Sequence, residues 1–119
     1  MAKRAVAPPE KVELYDKLVA SMPEIQRLGD ITPYTAVNGK MFSYLHISGA
    51  MALRLPDKVR QKFLKKYKTT LFDPTSLLQQ EYVRVPDGLL AKTEELRKYF
   101  EISYEYVKGL ESKATAGRK

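Results

Sequence analysis

The sequence predicts an α+β fold, a two-layer α/β sandwich in which an antiparallel β-meander and further strands are packed by three helices. The pair Asn38-Gly39 is a strong hairpin signal, because both residues tolerate the positive φ angles of a type I′ turn. Ser48-Gly49 supplies a second reversal ten residues later. Apolar residues recur at helical spacing on both sides of this segment, which favours the order α-β-β-β-α-β-β-α.

The length of 119 residues allows one domain with one hydrophobic core. We assign the domain to residues 10–111, with a flexible basic arm at 1–9 and a flexible basic tail at 112–119. No apolar run approaches the roughly 18 residues that a membrane span needs, and the amino terminus lacks the apolar segment of a secretory signal. We therefore expect a cytoplasmic protein without membrane contact. The absence of cysteine agrees and excludes disulfides and thiol chemistry.

The first helix starts near residue 10 and ends before Pro23. Its apolar stripe is Val12, Tyr15, Leu18, Val19 and Met22. Strands follow at residues 32–37, 41–47 and 50–55. A two-residue loop at Ser48-Gly49 would place one heavy apolar layer under the helices, formed by Phe42, Tyr44, His46, Met51, Leu53 and Leu55. The opposite, lighter face carries Leu45 and Ile47 and is a candidate for self-association.

The second helix opens at Pro56-Asp57, and its buried stripe is Val59, Phe63, Leu64 and Tyr67. Two short strands are expected at residues 69–72 and 81–85. The last helix runs from about Thr93, a plausible cap, to Leu110. Its core stripe is Leu96, Tyr99, Phe100, Ser103, Tyr106, Val107 and Leu110.

Three segments in this order resemble the amino-terminal domain of the TfoX/Sxy family. They are VNGKMF at 37–42, AMALRL at 50–55 and YVRVPDGL at 82–89, and the resemblance covers roughly residues 10–112. The sequence departs from the family at residues 29–35, where a glycine-rich Arg-x-Met-Phe-Gly-Gly-like segment is usual. The resemblance implies a fold similar to type III secretion chaperones and a link to regulation. It implies no catalytic residue.

The residues themselves give no catalytic signature. His46 is the only histidine, and a packed, hydrogen-bonded role in the apolar layer is expected for it, since no orienting carboxylate accompanies it. Asp57, Asp73 and Asp87 each adjoin a proline and are typical of turns or caps. No glycine-rich phosphate loop is present. We expect no enzyme, no metal and no cofactor.

Two surfaces are candidate sites. The formal charge is +7, and the folded part concentrates basic residues on the second helix at Lys58, Arg60, Lys62, Lys65 and Lys66. They either form a solvated face or contact nucleic acid phosphates. The second surface is a protein interface that combines the lighter sheet face, at Leu45 and Ile47, with Ile102 and Tyr104 on the last helix.

The sequence therefore favours a small non-catalytic regulatory or adaptor domain that acts through protein contacts, with a homodimer as one form of such contact. The alternative is a weak, sequence-independent nucleic-acid-binding protein that uses the basic second helix. The two differ in salt dependence, since phosphate contacts release counterions whereas an apolar interface does not. No residue identifies the partner.

Overall fold

A computed structural model describes the backbone of residues 7–29, 32–76 and 79–117, with side chains as far as residue 110. The α+β prediction is confirmed, since an antiparallel four-stranded sheet and four helices make up the described part. The elements are α1 (Pro9–Ala20), β1 (Tyr34–Val37), β2 (Lys40–Leu45), β3 (Met51–Arg54), α2 (Asp57–Lys66), β4 (Tyr82–Val85), α3 (Asp87–Leu90) and α4 (Thr93–Gly117).

The sheet has the order β1-β2-β3-β4, with each strand antiparallel to its neighbour. The Asn38-Gly39 turn is confirmed, with φ angles of 53° and 79° and with Val37 opposite Lys40. The strand predicted at residues 69–72 is reduced to an isolated bridge between Leu71 and Val83 on the outer side of β4. This edge therefore carries a short irregular segment instead of a full fifth strand.

The register of the β2–β3 hairpin differs from the predicted one by one residue. Leu45 lies opposite Met51, and the His46 amide donates to the Ala50 carbonyl at 2.8 Å. The loop therefore has three residues, 47–49, and Gly49 adopts a φ of +94°. An odd loop length reverses which side chains share a face, so Tyr44 and His46 do not join Met51, Leu53 and Leu55 under the helices as predicted.

A β-bulge in β2 explains why Phe42 is nevertheless in the core. Thr35 lies opposite Ser43 whereas Ala36 lies opposite Met41, which leaves Phe42 as the extra residue. Phe42 and Ser43 are both fully buried. The Phe42 ring packs on Phe100 of α4, with ring centroids 5.4 Å apart. The bulge thus turns two successive side chains toward the helices.

Leu45 cannot belong to an exposed interface, because its side chain is fully buried in the core. The prediction for Leu45 is wrong because the hairpin register differs from the predicted one by one residue. The outer sheet face instead presents Tyr44, Ala52 and Arg84, which lie opposite one another across β2, β3 and β4. The Phe72 ring contacts Tyr44 and Arg84, the two residues that flank Ala52 in the sheet, and Ala52 is fully buried.

His46 is exposed at the end of the hairpin and does not pack in an apolar layer. Its Nδ1 accepts the Ser48 amide at 3.1 Å, and its ring lies 5.6 Å from Phe72. The prediction of hydrogen bonding is confirmed, whereas the predicted burial is wrong.

The helical stripes follow the predicted periodicity. In α1 the buried side chains are Tyr15, Leu18 and Val19, with Met22 just beyond, and in α4 they include Leu96, Phe100, Ser103 and Val107. The short helix α3 was not expected; it follows Pro86 and buries Leu89 and Leu90. Among the described residues, no helix combines the length and apolar character that crossing a membrane requires.

The ends of the folded part extend beyond the predicted bounds. Ala7 is buried and Pro9 is the first residue of α1, so these residues do not form part of a flexible arm. Helix α4 continues to Gly117, past the expected end at Leu110. Residues 1–6 of the predicted arm and 118–119 of the predicted tail lie outside the described residues.

Candidate functional site

Three lysines of α2 share one exposed helix face. Lys58, Lys62 and Lys65 are separated by four and three residues, which places them on neighbouring turns. Lys66 is also exposed and lies one turn beyond Lys62. The buried side of the same helix is anchored by Phe63. The predicted basic surface therefore exists, with four lysines directed to solvent.

Arg60 has a different position from these lysines. Its guanidinium donates to the Leu55 carbonyl at 2.8 Å and to Asp57 at 3.0 Å, and its side chain is only 16% exposed. These bonds fix the start of α2 to the end of β3. Arg60 therefore has a structural role, although the sequence analysis predicted that it would belong to the basic surface with the lysines.

A groove of about 1030 Å³ begins where these lysines end. It lies between the end of α1, the end of α2 and the start of α4, and Lys66 forms part of its wall. Five of the lining side chains are cationic and two are anionic, which gives the lining a formal charge of +3. The lining residues are Lys17, Ser21, Lys66, Ala91, Lys92, Thr93, Glu94, Glu95, Arg97, Lys98 and Tyr99.

Aromatic packing fixes the α2 side of the groove against α4. The Phe63 ring lies 4.8 Å from Tyr67 and 5.0 Å from Tyr99, measured between ring centroids, and the two tyrosines are 5.8 Å apart. Lys66 Nζ lies 5.3 Å from the centroid of the Tyr67 ring. The cation at the end of α2 is therefore held beside the first turns of α4.

One of the two acids that line the groove, Glu95, accepts a hydrogen bond from a neighbouring side chain. The Tyr67 hydroxyl donates a hydrogen bond to Glu95 Oε2. This bond lowers the pKa of Glu95, since it favours the charged carboxylate. Burial, followed by the same hydrogen bond, raises the pKa of Tyr67 above its ordinary value of 10.0. Glu95 is thus ionised near neutral pH, with its charge directed toward Tyr67.

The first turn of α4 leaves several donors without partners. In the described part of the chain, the backbone N–H groups of Thr93, Glu94 and Glu95 donate to no protein acceptor, whereas Leu96 donates to the Lys92 carbonyl. The Thr93 hydroxyl is buried and also has no partner among the described residues. Thr93 therefore does not act as the predicted helix cap. The preceding residue is a lysine, which cannot accept a bond from these amides.

Sequence reasoning missed most of this groove. It identified Lys66 but not Lys17, Lys92, Arg97 or Lys98, because Lys17 and the segment 92–98 are both far from Lys66 along the chain. The only available signal was that three predicted helices each carry a lysine or arginine near a terminus. Charge near a helix end is common, so it does not show that these termini meet.

The remaining candidate interface residues are not equivalent. Ile47 is 39% exposed in the hairpin loop, whereas Ile102 and Tyr104 are half-buried on α4. The Tyr104 ring packs edge-on against Phe42, with centroids 5.8 Å apart. Ile102 lines a recess of about 520 Å³ together with Pro56, Glu101, Glu105 and Tyr106. Ile47 thus lies in the hairpin loop, whereas Ile102 and Tyr104 lie on α4 and are only partly exposed.

Within the described ranges no group of three histidine, cysteine or carboxylate side chains could hold a metal ion. Comparison with known proteins gives no identification, since no family model, no curated protein and no solved structure matches the chain. The resemblance to the TfoX/Sxy amino-terminal domain thus stays a prediction, and the candidate site is interpreted from its own geometry.

Proposed function

We propose that this protein binds nucleic acid through phosphate contacts, using the α2 lysines and the basic groove as one continuous surface. The observation that carries the proposal is the groove with five cationic side chains, which continues directly from the exposed lysines of α2 through Lys66. Concentrated positive charge on one side of a domain is the usual electrostatic footprint of nucleic-acid binding.

The binding should not depend on base sequence. The aromatic rings next to the groove, those of Phe63, Tyr67 and Tyr99, pack against one another and support the fold. Because these rings pack against one another, we do not expect base stacking to be the main mode of contact. Lysines on a helix surface reach phosphates, which position a protein on a strand but carry no base information.

The adaptor function expected from the sequence stays a prediction. Leu45 no longer supports it, and Ile47 is the only large apolar side chain that is exposed in the described part of the chain. An apolar protein interface needs a larger contiguous patch than one isoleucine. A homodimer likewise stays a prediction.

The test is fluorescence anisotropy with a labelled mixed-sequence duplex at roughly 50 and 200 mM salt. Four lysine–phosphate contacts should weaken the affinity by about 150-fold between these concentrations. Lys62→Glu should abolish most of the low-salt binding. Lys108→Glu is the matched control, because it makes the same charge change at an exposed position of α4 that lies roughly 22 Å from Thr93 by helix rise. Absence of binding at the lower salt concentration would reject the proposal.

A further inference from the structure

We infer that a pocket on the outer face of the sheet, the outer pocket, binds one flat, uncharged aromatic ring that carries oxygen acceptors at its edge. The pocket shares no lining residue with the basic groove, so the inference does not rest on the proposed function. Its volume is about 280 Å³, just below the roughly 300–1,000 Å³ of ordinary ligand sites, which suits a single ring. The lining residues are Thr32, Tyr34, Met41, Tyr44, His46 and Gln79.

Two tyrosine rings line the outer pocket from neighbouring strands. Tyr34 and Tyr44 lie opposite each other in β1 and β2, so their side chains extend side by side from the same face of the sheet. In the described part of the chain, no ring–ring contact joins these two tyrosines. Tyr44 packs instead on Phe72 and Tyr82, with ring centroids 5.3 and 5.9 Å apart. Tyr44 is therefore held in place by other rings, while the pocket side of the tyrosine pair is left for a flat ligand.

His46 provides a hydrogen-bond donor with a defined tautomer. Its Nδ1 accepts the Ser48 amide at 3.1 Å and lies 3.0 Å from the Ser48 hydroxyl oxygen. Because a ring nitrogen that accepts a hydrogen bond carries no proton, the proton of the neutral imidazole is on Nε2. The ring packs against Phe72, 5.6 Å away between centroids. Nε2 has no partner among the described residues, so it is a free donor on a side chain that lines the pocket.

Gln79 provides a second donor of fixed orientation. The Tyr44 hydroxyl donates to Gln79 Oε1 at 2.8 Å. Burial raises the pKa of Tyr44 above its ordinary value of 10.0, so the hydroxyl keeps its proton at neutral pH and remains the donor. This bond uses the oxygen of the amide and leaves Nε2 without a partner in the part of the chain that the structure describes. The NH₂ group can therefore donate to an oxygen of a ligand.

The lining selects the class of ligand. Its free donors favour oxygen acceptors, and its aromatic rings favour a flat ring that can stack on them. The described residues that line the pocket include no lysine, arginine, aspartate or glutamate, which favours a neutral ligand. An anion would also be repelled by Asp73, whose charge acts on Tyr44. The ligand class is therefore a neutral aromatic ring with carbonyl oxygens, for which uracil is the probe.

The test is a ¹H–¹⁵N NMR titration of the full chain with uracil at neutral pH. The amides of Tyr44, His46 and Gln79 should shift saturably, with a Kd on the order of 1 mM, since a ligand of few atoms binds weakly. The matched ligand is dihydrouracil, which keeps both carbonyl groups but has a saturated, puckered ring. It should bind about fivefold more weakly because it stacks poorly. Shifts that do not saturate, or equal affinity for the two compounds, would overturn the inference.

Two variants test the donors without removing the packing around them. Gln79→Glu keeps an oxygen that accepts the Tyr44 hydroxyl but replaces the NH₂ donor, so the affinity for uracil should fall about tenfold. His46→Phe keeps a ring beside Phe72 and removes Nε2, so the affinity should fall about fivefold. Gln61→Glu is the control, because it makes the same charge change at an exposed position of α2 outside the pocket. Unchanged affinity in either pocket variant would overturn the inference.

A titration with a short strand of uridines identifies the source of the ring. Shifts of the pocket amides with both the strand and uracil would assign the ring to a base of a bound strand. Shifts with uracil alone would assign it to a free small molecule. Lys62→Glu should leave the affinity for uracil unchanged, because Lys62 does not line the pocket. Saturable uracil binding without any nucleic-acid binding would support this inference and reject the proposed function, whereas nucleic-acid binding without uracil binding would do the reverse.

Discussion

The Tyr67 hydroxyl donates a hydrogen bond to the Glu95 carboxylate, and this contact joins the end of α2 to the first turn of α4. The residues are 28 positions apart in the chain. Lys66 and Lys98 line the same groove as Glu95, and the bond determines where the charge of Glu95 lies in that groove. It therefore relates the aromatic packing of the core to the electrostatics of the candidate site.

Tyr67→Phe should raise the pKa of Glu95 toward its ordinary value of 4.5, because the hydrogen bond is the main cause of the lowered pKa. A ¹³C NMR titration of the glutamate carboxyl carbons measures this change. Tyr104→Phe is the matched control, since it removes a tyrosine hydroxyl of α4 from a ring that packs against Phe42 and does not act on Glu95. An unchanged Glu95 titration in Tyr67→Phe would show that the bond does not persist in solution.

Glu81→Gln should reduce stability near neutral pH by about 1 kcal/mol, a value discounted for the partial exposure of the site. Glu81 accepts Arg54 Nε at 2.7 Å and the Tyr106 hydroxyl at 2.6 Å. Burial alone would raise the pKa of Glu81, but these two hydrogen bonds outweigh it and the pKa is lowered from 4.5.

The pH dependence of this variant follows from the direction of that shift. The stabilisation by Glu81 is fully present above pH 4.5 and is lost as the pH falls through the lowered folded-state pKa. Denaturant unfolding at pH 7 and in the acid range should therefore show that Glu81→Gln and the wild type converge at low pH. Glu105→Gln, at an exposed position of α4, should follow the wild-type curve throughout. A constant difference at all pH values would contradict the ionic origin of the effect.

Leu45→Ala should cost about 3 kcal/mol of unfolding free energy, whereas Ile47→Ala should cost less than about 0.5 kcal/mol. Leu45 is fully buried and Ile47 is 39% exposed, although they are two residues apart. Chemical denaturation of both variants measures the difference. Similar losses would contradict the hairpin register in which Leu45 lies opposite Met51.

The local periodicities of the sequence are sufficient for the helices and for the first hairpin. The stripe from Tyr15 to Met22 is buried as predicted, and Asn38-Gly39 forms the predicted turn. Both signals depend on residues that are close in the chain. The two predictions therefore do not depend on how the helices and strands pack against one another.

The errors arise where one residue changes a face or where distant elements meet. A loop of three residues instead of two places the Leu45 side chain in the core and not on the predicted outer face. No local signal in the sequence distinguishes the two loop lengths at Ser48-Gly49. The alternation of apolar and polar residues in the sequence likewise gives no sign of the bulge at Phe42. The groove requires Lys17 and Lys98 to converge, which depends on helix packing that periodicity does not contain.

Gly49→Ala should destabilise the protein by about 1–2 kcal/mol, because Gly49 has a φ of +94° that side chains other than glycine rarely adopt. A Cβ at this position would also lie 3.2 Å from Pro8 Cγ and 3.3 Å from Lys11 Cγ, which is closer than ordinary contact. Gly88→Ala is the control, since a Cβ there meets nothing within 4 Å and lies in helix α3. Thermal unfolding should show a lower melting temperature for Gly49→Ala only.

Arg60→Ala and Lys62→Ala should separate stability from binding. Arg60 is bonded to the Leu55 carbonyl and to Asp57, so its removal should cost about 1 kcal/mol of stability and leave the salt dependence of DNA binding unchanged. Lys62 is exposed, so its removal should leave stability unchanged and reduce the slope of log affinity against log salt by about 1. Denaturation and anisotropy on the same two samples measure both quantities. If Arg60→Ala and Lys62→Ala reduced the slope equally, Arg60 would also contact phosphate. If Lys62→Ala bound DNA with an unchanged slope, the phosphate contacts would lie away from α2.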